Sequence, residues 1–223
     1  MLETVKMRWA ENVYLIRSNG LSSFLREMFF VGRRCILVQK ELTEVIDRPE
    51  PLTMAGMKVL GIDEAVLTSG LYQFSLKHRH LRACYYSKLG YGGFALARDN
   101  VIVGDLWYWP SGCTKDSSDL HEHLRWFGFA EWRKNDVYTF DIFVAPSERK
   151  QGVSAAFQNS AMLCLRGKGF TIAYGWYFAD NVPAIWCTRI TNKWKELRSI
   201  SVSRLLIFRR LVPFPEHEAG SKV

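Results

Sequence analysis

Apolar runs along this chain alternate between strand-like and helix-like spacing, with polar or glycine-containing turns between them. Short β-branched and aromatic runs predict strands at Cys35–Gln39, Met57–Leu60, Gly93–Ala97, Val101–Gly104, Val137–Val144, Thr171–Trp176 and Val202–Arg209. Helical spacing and capping residues predict helices over Leu21–Phe30, from Asp63, over Gln73–Lys88, over Gly152–Arg166 and from Asn181. From Met57 onward the predicted order is β-α-α-β-β-β-α-β-α-β, an α/β (α+β) chain.

A domain boundary is predicted near Arg48-Pro49-Glu50-Pro51, because prolines at alternate positions favour a stiff, extended connection. We therefore expect residues 1–53 to be an accessory N-terminal segment that packs on a main domain of residues 54–223. Residues 111–135 are polar and show no convincing period.

The segment from Asp141 to Ala155 predicts a receptor for a phosphate or pyrophosphate group. An apolar strand ends at Ala145-Pro146-Ser147, and a helix opens at Gln151-Gly152-Val153-Ser154. Backbone N–H groups, a helix N-terminus and the cations Arg149 and Lys150 then meet at one turn. Glycine at position 152 would let the backbone approach the anion without a Cβ between them. The alternative is an ordinary strand-to-helix turn with a structural glycine.

Val144-x-Pro146 followed by Arg149-x-x-Gly152-x-Ser154 resembles the acyl-CoA motif of the GNAT N-acyltransferase superfamily, with Ser154 in place of the usual last Gly or Ala. Asn181-x-Pro183-Ala184 is similar to the Asn-x-x-Ala/Ser that follows the family's fifth strand. The resemblance covers about Met57 to Phe208. It implies a mixed, mostly antiparallel central sheet flanked by helices, whose fourth and fifth strands splay apart to admit the pantetheine arm.

The resemblance also implies a set of cofactor-binding positions for acetyl-CoA or another acyl-CoA. A backbone N–H near Phe143 or Val144 would donate to the thioester carbonyl, and the turn that follows would hold the pyrophosphate. The implied residues are Phe143, Val144, Arg149, Lys150, Gln151, Gly152, Val153, Ser154, Ala155 and Asn181.

Two catalytic residues are predicted for transfer of the acyl group to an amine. Asp141 lies on the strand that precedes the predicted phosphate-binding turn, and it is the candidate base that would deprotonate an ammonium substrate. The alternative is a solvated or ion-paired aspartate. Thr188 stands where the family usually has the tyrosine that acts as general acid. Thr191-Asn192-Lys193 stands in place of the Leu-Gly-Phe that usually follows that tyrosine in the family. The acid would then be solvent or a tyrosine at the end of the fifth strand. Tyr177 is the candidate, with Tyr174 beside it; the alternative, which the sequence favours, is that both tyrosines line the pocket.

Trp107-Tyr108-Trp109 predicts an aromatic wall, because strand alternation places Trp107 and Trp109 on one face and Tyr108 on the other. One face would serve the core and the other the acceptor site. We therefore predict Trp107 and Trp109 as substrate-binding residues. Flat apolar walls suit a small-molecule amine, such as an amino sugar or an amino acid.

Composition and charge narrow the classes of partner. A net charge of +8 favours an anionic partner, but the cations are spread along the chain and no nucleic-acid motif is visible, so we expect no nucleic-acid partner. The five cysteines lack Cys-x-x-Cys spacing and predict reduced thiols. We also expect no membrane span and a cytoplasmic location, because no apolar run approaches about 18–20 residues and no signal peptide is visible. A homodimer is left open.

Histidines at His78-x-His80 and His121-x-His123 are predicted to be solvated rather than metal-binding, so no metal is expected. The sequence thus favours an N-acyltransferase that uses acyl-CoA. The alternatives are a non-catalytic CoA-binding sensor or scaffold of the same fold, and an acyltransferase whose donor is an acyl carrier protein.

Overall fold

The computed structural model describes residues 2–110, 133–205 and 208–213 of the 223-residue chain. The α-helices in these ranges are α1 (Leu2–Met28), α2 (Glu50–Met54), α3 (Glu64–Thr68), α4 (Lys77–Lys88), α5 (Val153–Gly167) and α6 (Val182–Ala184). A π-helical turn, Ile185–Thr191, continues α6. None of the described helices combines the length and apolar character needed to cross a lipid bilayer.

Within these described residues, nine strands form one sheet. They are β1 (Phe29–Glu41), β2 (Met57–Ile62), β3 (Gln73–Phe74), β4 (Gly92–Arg98), β5 (Val101–Pro110), β6 (Asp136–Val144), β7 (Ile172–Phe178), β8 (Lys195–Leu205) and β9 (Phe208–Pro213). The order across the sheet is β2-β4-β5-β6-β7-β1-β8-β9, with β3 paired to the start of β5. All pairs are antiparallel except β3–β5 and β6–β7, so the expected mixed, mostly antiparallel sheet is confirmed.

Strand β1 lies inside this sheet, hydrogen-bonded to β7 on one side and to β8 on the other. Its central residues Cys35, Leu37 and Val38 are buried. A division at residue 53 therefore cuts through one continuous sheet. Residues 29–41 are a central strand and not a segment packed against the domain from outside.

Helices cover both faces of the sheet. We call face A the face that carries α2, α5 and the π-helical turn, and face B the face that carries α1, α3 and α4. Phe157 and Leu165 of α5 are fully buried in the face A core. Ala83 of α4 packs with Trp107 in the face B core. Alternating side chains of the central strands thus supply two cores, one on each side.

Most of the strands and helices predicted from the apolar pattern are confirmed, and the departures occur at their ends. The predicted helix Gln73–Lys88 begins only at Lys77, because Gln73 and Phe74 pair with Val101 and Ile102 as an edge strand. The predicted strand Val202–Arg209 falls across the end of β8 and the start of β9. Pro51 lies in the first turn of α2, where proline is tolerated, and not in an extended linker.

Helix α1 was predicted only in part, from Leu21, and it reaches back to Leu2. Gly20 interrupts it with φ 81° and ψ 163°, a conformation that breaks the helical hydrogen bonding and that glycine adopts readily. The chain therefore enters β1 from two helical segments joined at an angle.

Candidate functional site

The turn between β6 and α5 has the backbone geometry of an anion receptor. Gln151 (φ 50°) and Gly152 (φ 80°) are both left-handed, and α5 begins immediately after them. The N–H of Val153 is taken by the carbonyl of Lys150, whereas the N–H groups of Gly152, Ser154 and Ala155 have no acceptor among the described residues. These free donors and the positive end of a 15-residue helix point toward one place.

Side chains in this turn have different roles from the backbone. Val144, Val153 and Ala155 are buried in the core, so only their backbone atoms can meet a ligand. The Nε of Arg149 donates to the Val144 carbonyl at 2.7 Å, which fastens the end of β6 to the turn. Lys150 is the exposed cation beside the free N–H groups.

Strands β6 and β7 separate just before this turn. They are paired only where Asp136–Tyr138 lies beside Ile172–Tyr174. Beyond that point the Thr139 hydroxyl bonds the Tyr174 carbonyl at 3.0 Å, and no ladder pair follows between the described residues. The predicted splay of these two strands is confirmed, and it leads to the N-terminus of α5.

A β-bulge at Asp141 bends β6 where it leaves β7. The register with β5 shifts between the pairs Trp107–Phe140 and Asp105–Phe143, and Asp141 has φ 51°. A left-handed residue other than glycine costs about 1–2 kcal/mol, so the surroundings must hold it in place.

Two arginines of α4 hold the Asp141 carboxylate. Arg79 Nη1 donates to Oδ1 at 3.0 Å and Arg82 Nη1 donates to Oδ2 at 2.9 Å. Burial alone would raise the pKa of Asp141, but the two guanidinium groups outweigh it and bring this pKa to about 2. A carboxylate held in this way is a weak base, so the geometry favours the ion-pair alternative for Asp141 over the predicted role as base.

Arg79 continues the network into the core of the protein. Its Nε and Nη2 donate to the Asp105 carboxylate at 2.9 and 2.5 Å, and the Trp107 indole N–H donates to the same group at 2.8 Å. Asp105 is 1% exposed, and burial raises its pKa against the pull of Arg79. Three donors on one carboxylate favour its ionised form at neutral pH.

Helix α1 contacts the same network, and this contact could not be predicted from the sequence. Glu11 forms an ion pair with Arg82, and the Tyr14 ring stacks on the His78 ring at 4.3 Å. His78 is 7% exposed and its pKa is lowered to about 4, first by burial and then by Arg79 and Arg82. The predicted solvated position of His78 is therefore wrong: it is a neutral imidazole packed near Phe143 of β6. His121 and His123 lie outside the described residues.

The candidate acid Tyr177 is 4% exposed, and its hydroxyl donates to Glu196 of β8 at 2.5 Å. Burial, followed by this hydrogen bond, raises the pKa of Tyr177 above the ordinary value. Thr188 is buried as well and bonds Gln158 of α5. Neither hydroxyl is exposed to the gap as a free donor.

Other predicted positions are also engaged within the protein. Asn181 caps α6 by accepting from the Ala184 N–H at 3.2 Å, although its side chain is exposed. Trp107 is fully buried and Trp109 is 8% exposed, and both belong to the face B core. The structure thus places neither indole as a wall open to a ligand. Phe140, Tyr174 and Trp176, on the two strands that border the gap, are instead half-buried aromatic side chains.

Solved structures identify the fold. This chain superposes on the GCN5-related glucosamine N-acetyltransferase region of a fungal multi-domain GH3 β-N-acetylglucosaminidase with a TM-score of 0.54 and 13% identity, covering 85% of this chain and 22% of that one. A GCN5-related N-acetyltransferase from Sphaerobacter thermophilus gives 0.47 at 10% identity, covering 87% and 58%. One from Kribbella flavida gives 0.40 at 15%, covering 80% and 60%.

This chain therefore spans less than two thirds of the length of each of these three structures. Neither a protein-family model nor a curated protein sequence matches it. The chain has the GNAT fold, as the strand order, the splayed strands and the first of these superpositions together show.

Proposed function

We propose that this protein is an N-acyltransferase that moves an acyl group, acetyl in the simplest case, from acyl-CoA to the amine of a small molecule. One observation supports the proposal above the others: the gap between β6 and β7 leads directly to free N–H groups at the start of α5. A thiol ester arm fits a gap between strands, and a pyrophosphate fits a helix N-terminus. Residues Lys150–Ala155 would hold the pyrophosphate.

The reaction needs little from side chains in this proposal. The neutral amine nitrogen bonds to the thioester carbon and the carbon–sulfur bond breaks. The nitrogen then loses one proton to water, and the departing thiolate takes one proton from solvent. A backbone N–H near Phe143 or Val144 would stabilise the developing oxyanion. The β6 bulge lies immediately before this part of the strand, so we assign Asp141, Arg79 and Arg82 to positioning the strand and not to proton transfer.

The acceptor would approach the gap from face B, where Phe140, Tyr174 and Trp176 are half-buried. Flat aromatic surfaces suit a compact ligand such as a sugar ring, and the net charge of +8 suits an anionic amino sugar. We therefore propose an amino sugar or amino acid as acceptor, and not a basic protein tail.

Thiol release from acetyl-CoA tests the proposal. We expect thiol release that depends on an added amine. Release should be fast with at least one member of a panel of amino sugars, amino acids and polyamines, and slow with peptides. The control is acetyl-CoA with protein but without amine. Acylation of peptides alone would contradict the proposed acceptor class.

A non-catalytic CoA-binding module of the same fold is the second candidate. It is favoured by a specific observation: the carboxylate of Asp141 and the hydroxyls of Tyr177 and Thr188 are all engaged in internal hydrogen bonds. CoA binding by calorimetry without thiol release for any amine would select this candidate. An acyl carrier protein as donor would instead show release with acylated carrier and none with acetyl-CoA.

The variant Asp141→Asn distinguishes a positioning role of Asp141 from a role as general base. The amide places an NH2 group, which cannot accept, where one carboxylate oxygen accepted from an arginine. We therefore expect the bulge to loosen, kcat to fall and the KM for acyl-CoA to rise. Since the pKa of Asp141 is held at about 2, below the ordinary 3.8, its contribution to stability is present above about pH 4 and is lost as the pH falls towards 2. The shape of the pH–rate profile between about pH 6 and 9 should therefore not change. Loss of its acidic limb would restore Asp141 as the base.

A further inference from the structure

A small polar pocket lies on face A, between the end of β1, the loop that follows it and the end of the π-helical turn. Its volume is about 70 Å³. The lining includes the cations Lys40, Arg48 and Lys193, and the amides Asn159 and Asn192. It is separate from the gap between β6 and β7.

Lys40 is the least expected of these residues. Its side chain is 10% exposed, and its closest carboxylate is Glu44 at 3.8 Å, which is itself 65% exposed. A lysine ammonium is rarely buried unless an anion compensates it. Arg48 and Lys193 are exposed at the rim and form no ion pair with any residue in the described part of the chain. The described lining of the pocket thus holds three cations and one carboxylate, that of Glu44.

Buried amides fix the walls of the pocket. Asn159 of α5 donates to the Ile46 carbonyl at 2.7 Å, which holds the loop after β1 against the helix. Asn192 donates to the carbonyl of Ala155 at 2.9 Å and to Gln158 Oε1 at 2.8 Å, which holds the end of the π-helical turn against the same helix. Both asparagines are more than nine-tenths buried. The pocket is therefore built by interactions that tie three elements together.

Size and charge decide the class of ligand. A volume of 70 Å³ holds about two water-sized groups, which admits a phosphate and excludes a nucleobase or sugar ring. The excess of cations favours a doubly charged anion over a carboxylate. We propose that this pocket binds a phosphate monoester group, with Lys40 as its buried counter-ion.

Two sources could supply that group. One is the ribose 3′-phosphate of CoA, which is distinct from the pyrophosphate, and this source rests on the proposed function. Asn159 lies seven residues after Gly152, about 10 Å along α5 at 1.5 Å per residue, so both sites border the same helix. The other is a free phosphorylated metabolite or inorganic phosphate, which requires no CoA site.

Calorimetry with three probes tests the proposal: CoA, dephospho-CoA and inorganic phosphate. We expect CoA to bind at least about tenfold more tightly than dephospho-CoA, and Lys40→Met or Arg48→Ala to remove most of that difference while leaving dephospho-CoA affinity unchanged. CoA and dephospho-CoA could instead bind equally, or neither could bind. In either case, inorganic phosphate that binds the parent protein but not Lys40→Met still supports the pocket and assigns it to a free phosphate.

The matched control is Lys195→Met. Lys195 has the same charge as Lys40. It pairs with Gln39, whose side chain lies on face B because Lys40, the next residue of β1, lies on face A, so Lys195 also lies on face B. Arg48→Ala removes an exposed side chain and keeps the test valid if Lys40→Met fails to fold. Equal binding of CoA and dephospho-CoA together with no phosphate binding would overturn the proposal, as would an equal effect of Lys195→Met. Failure of the proposed function would give a different result, because then neither CoA nor dephospho-CoA would bind.

Discussion

Replacement of Gly152 by tryptophan is expected to lower CoA affinity by at least about 100-fold, or roughly 2.7 kcal/mol, while the protein stays folded. A Cβ built on Gly152 meets no atom within 4 Å, so the indole would occupy open space in front of the free N–H groups of α5. This is the space that the pyrophosphate would need. The left-handed backbone at φ 80° adds a strain of about 1–2 kcal/mol to the folded state. Isothermal calorimetry measures the loss.

Gly169 provides a matched control for this variant. It also has a left-handed backbone, with φ 89°, and a Cβ there meets nothing within 4 Å. It follows the other end of α5, about 22 Å along the helix axis from the turn. Gly169→Trp should therefore show the same strain in thermal unfolding and unchanged CoA affinity. Unchanged affinity in Gly152→Trp would remove the turn from the proposed binding site.

Removal of the buried carboxylate in Asp105→Ala is expected to lower the free energy of unfolding by about 3–5 kcal/mol, the usual range when one partner of a buried ion pair is lost. Arg79 is 4% exposed, and its Nε and Nη2 would both lose the Asp105 carboxylate, which leaves Nη2 with the Asp141 carbonyl at 3.2 Å. The indole N–H of Trp107 would lose its acceptor as well. Urea unfolding followed by circular dichroism measures the change.

Asp180→Ala is the comparison for a surface ion pair. Asp180 accepts from Arg33 at 2.9 Å but its side chain is 63% exposed, so its loss should cost less than about 1 kcal/mol. Similar costs for the two variants would show that the buried network contributes no more than an exposed pair. They would also weaken the assignment of Arg79 to positioning β6.

The network links the N-terminal helix to the proposed acyl-binding strand. Glu11 of α1 pairs with Arg82, Arg82 holds Asp141, and Asp141 forms the bulge of β6. Together with β1, which lies between β7 and β8, this makes the N-terminal residues part of the site's framework.

Local sequence was sufficient to predict the turn. The strand before it, the proline, the glycine and the helix after it are neighbours in the chain, and each has a strong intrinsic preference for its backbone conformation. The predicted strands Gly93–Ala97 and Val101–Gly104 are joined by an equally local turn, in which Asp99 is left-handed. The positions of the strands in the second half of the chain follow equally from short apolar runs.

Side-chain roles could not be predicted in this way, because they depend on partners far away in sequence. Asp141 became an ion-pair partner through Arg79 and Arg82, about 60 residues earlier, and Trp107 became core because α4 covers it. Likewise, the place of β1 in the sheet is set by pairing with strands more than 130 residues later. By itself the sequence determined the turn between β6 and α5, most of the elements around it and the GNAT fold that they indicate. Only the tertiary structure decided which charges are neutralised, which aromatic rings remain accessible and which segments complete the sheet, since these depend on long-range packing and desolvation.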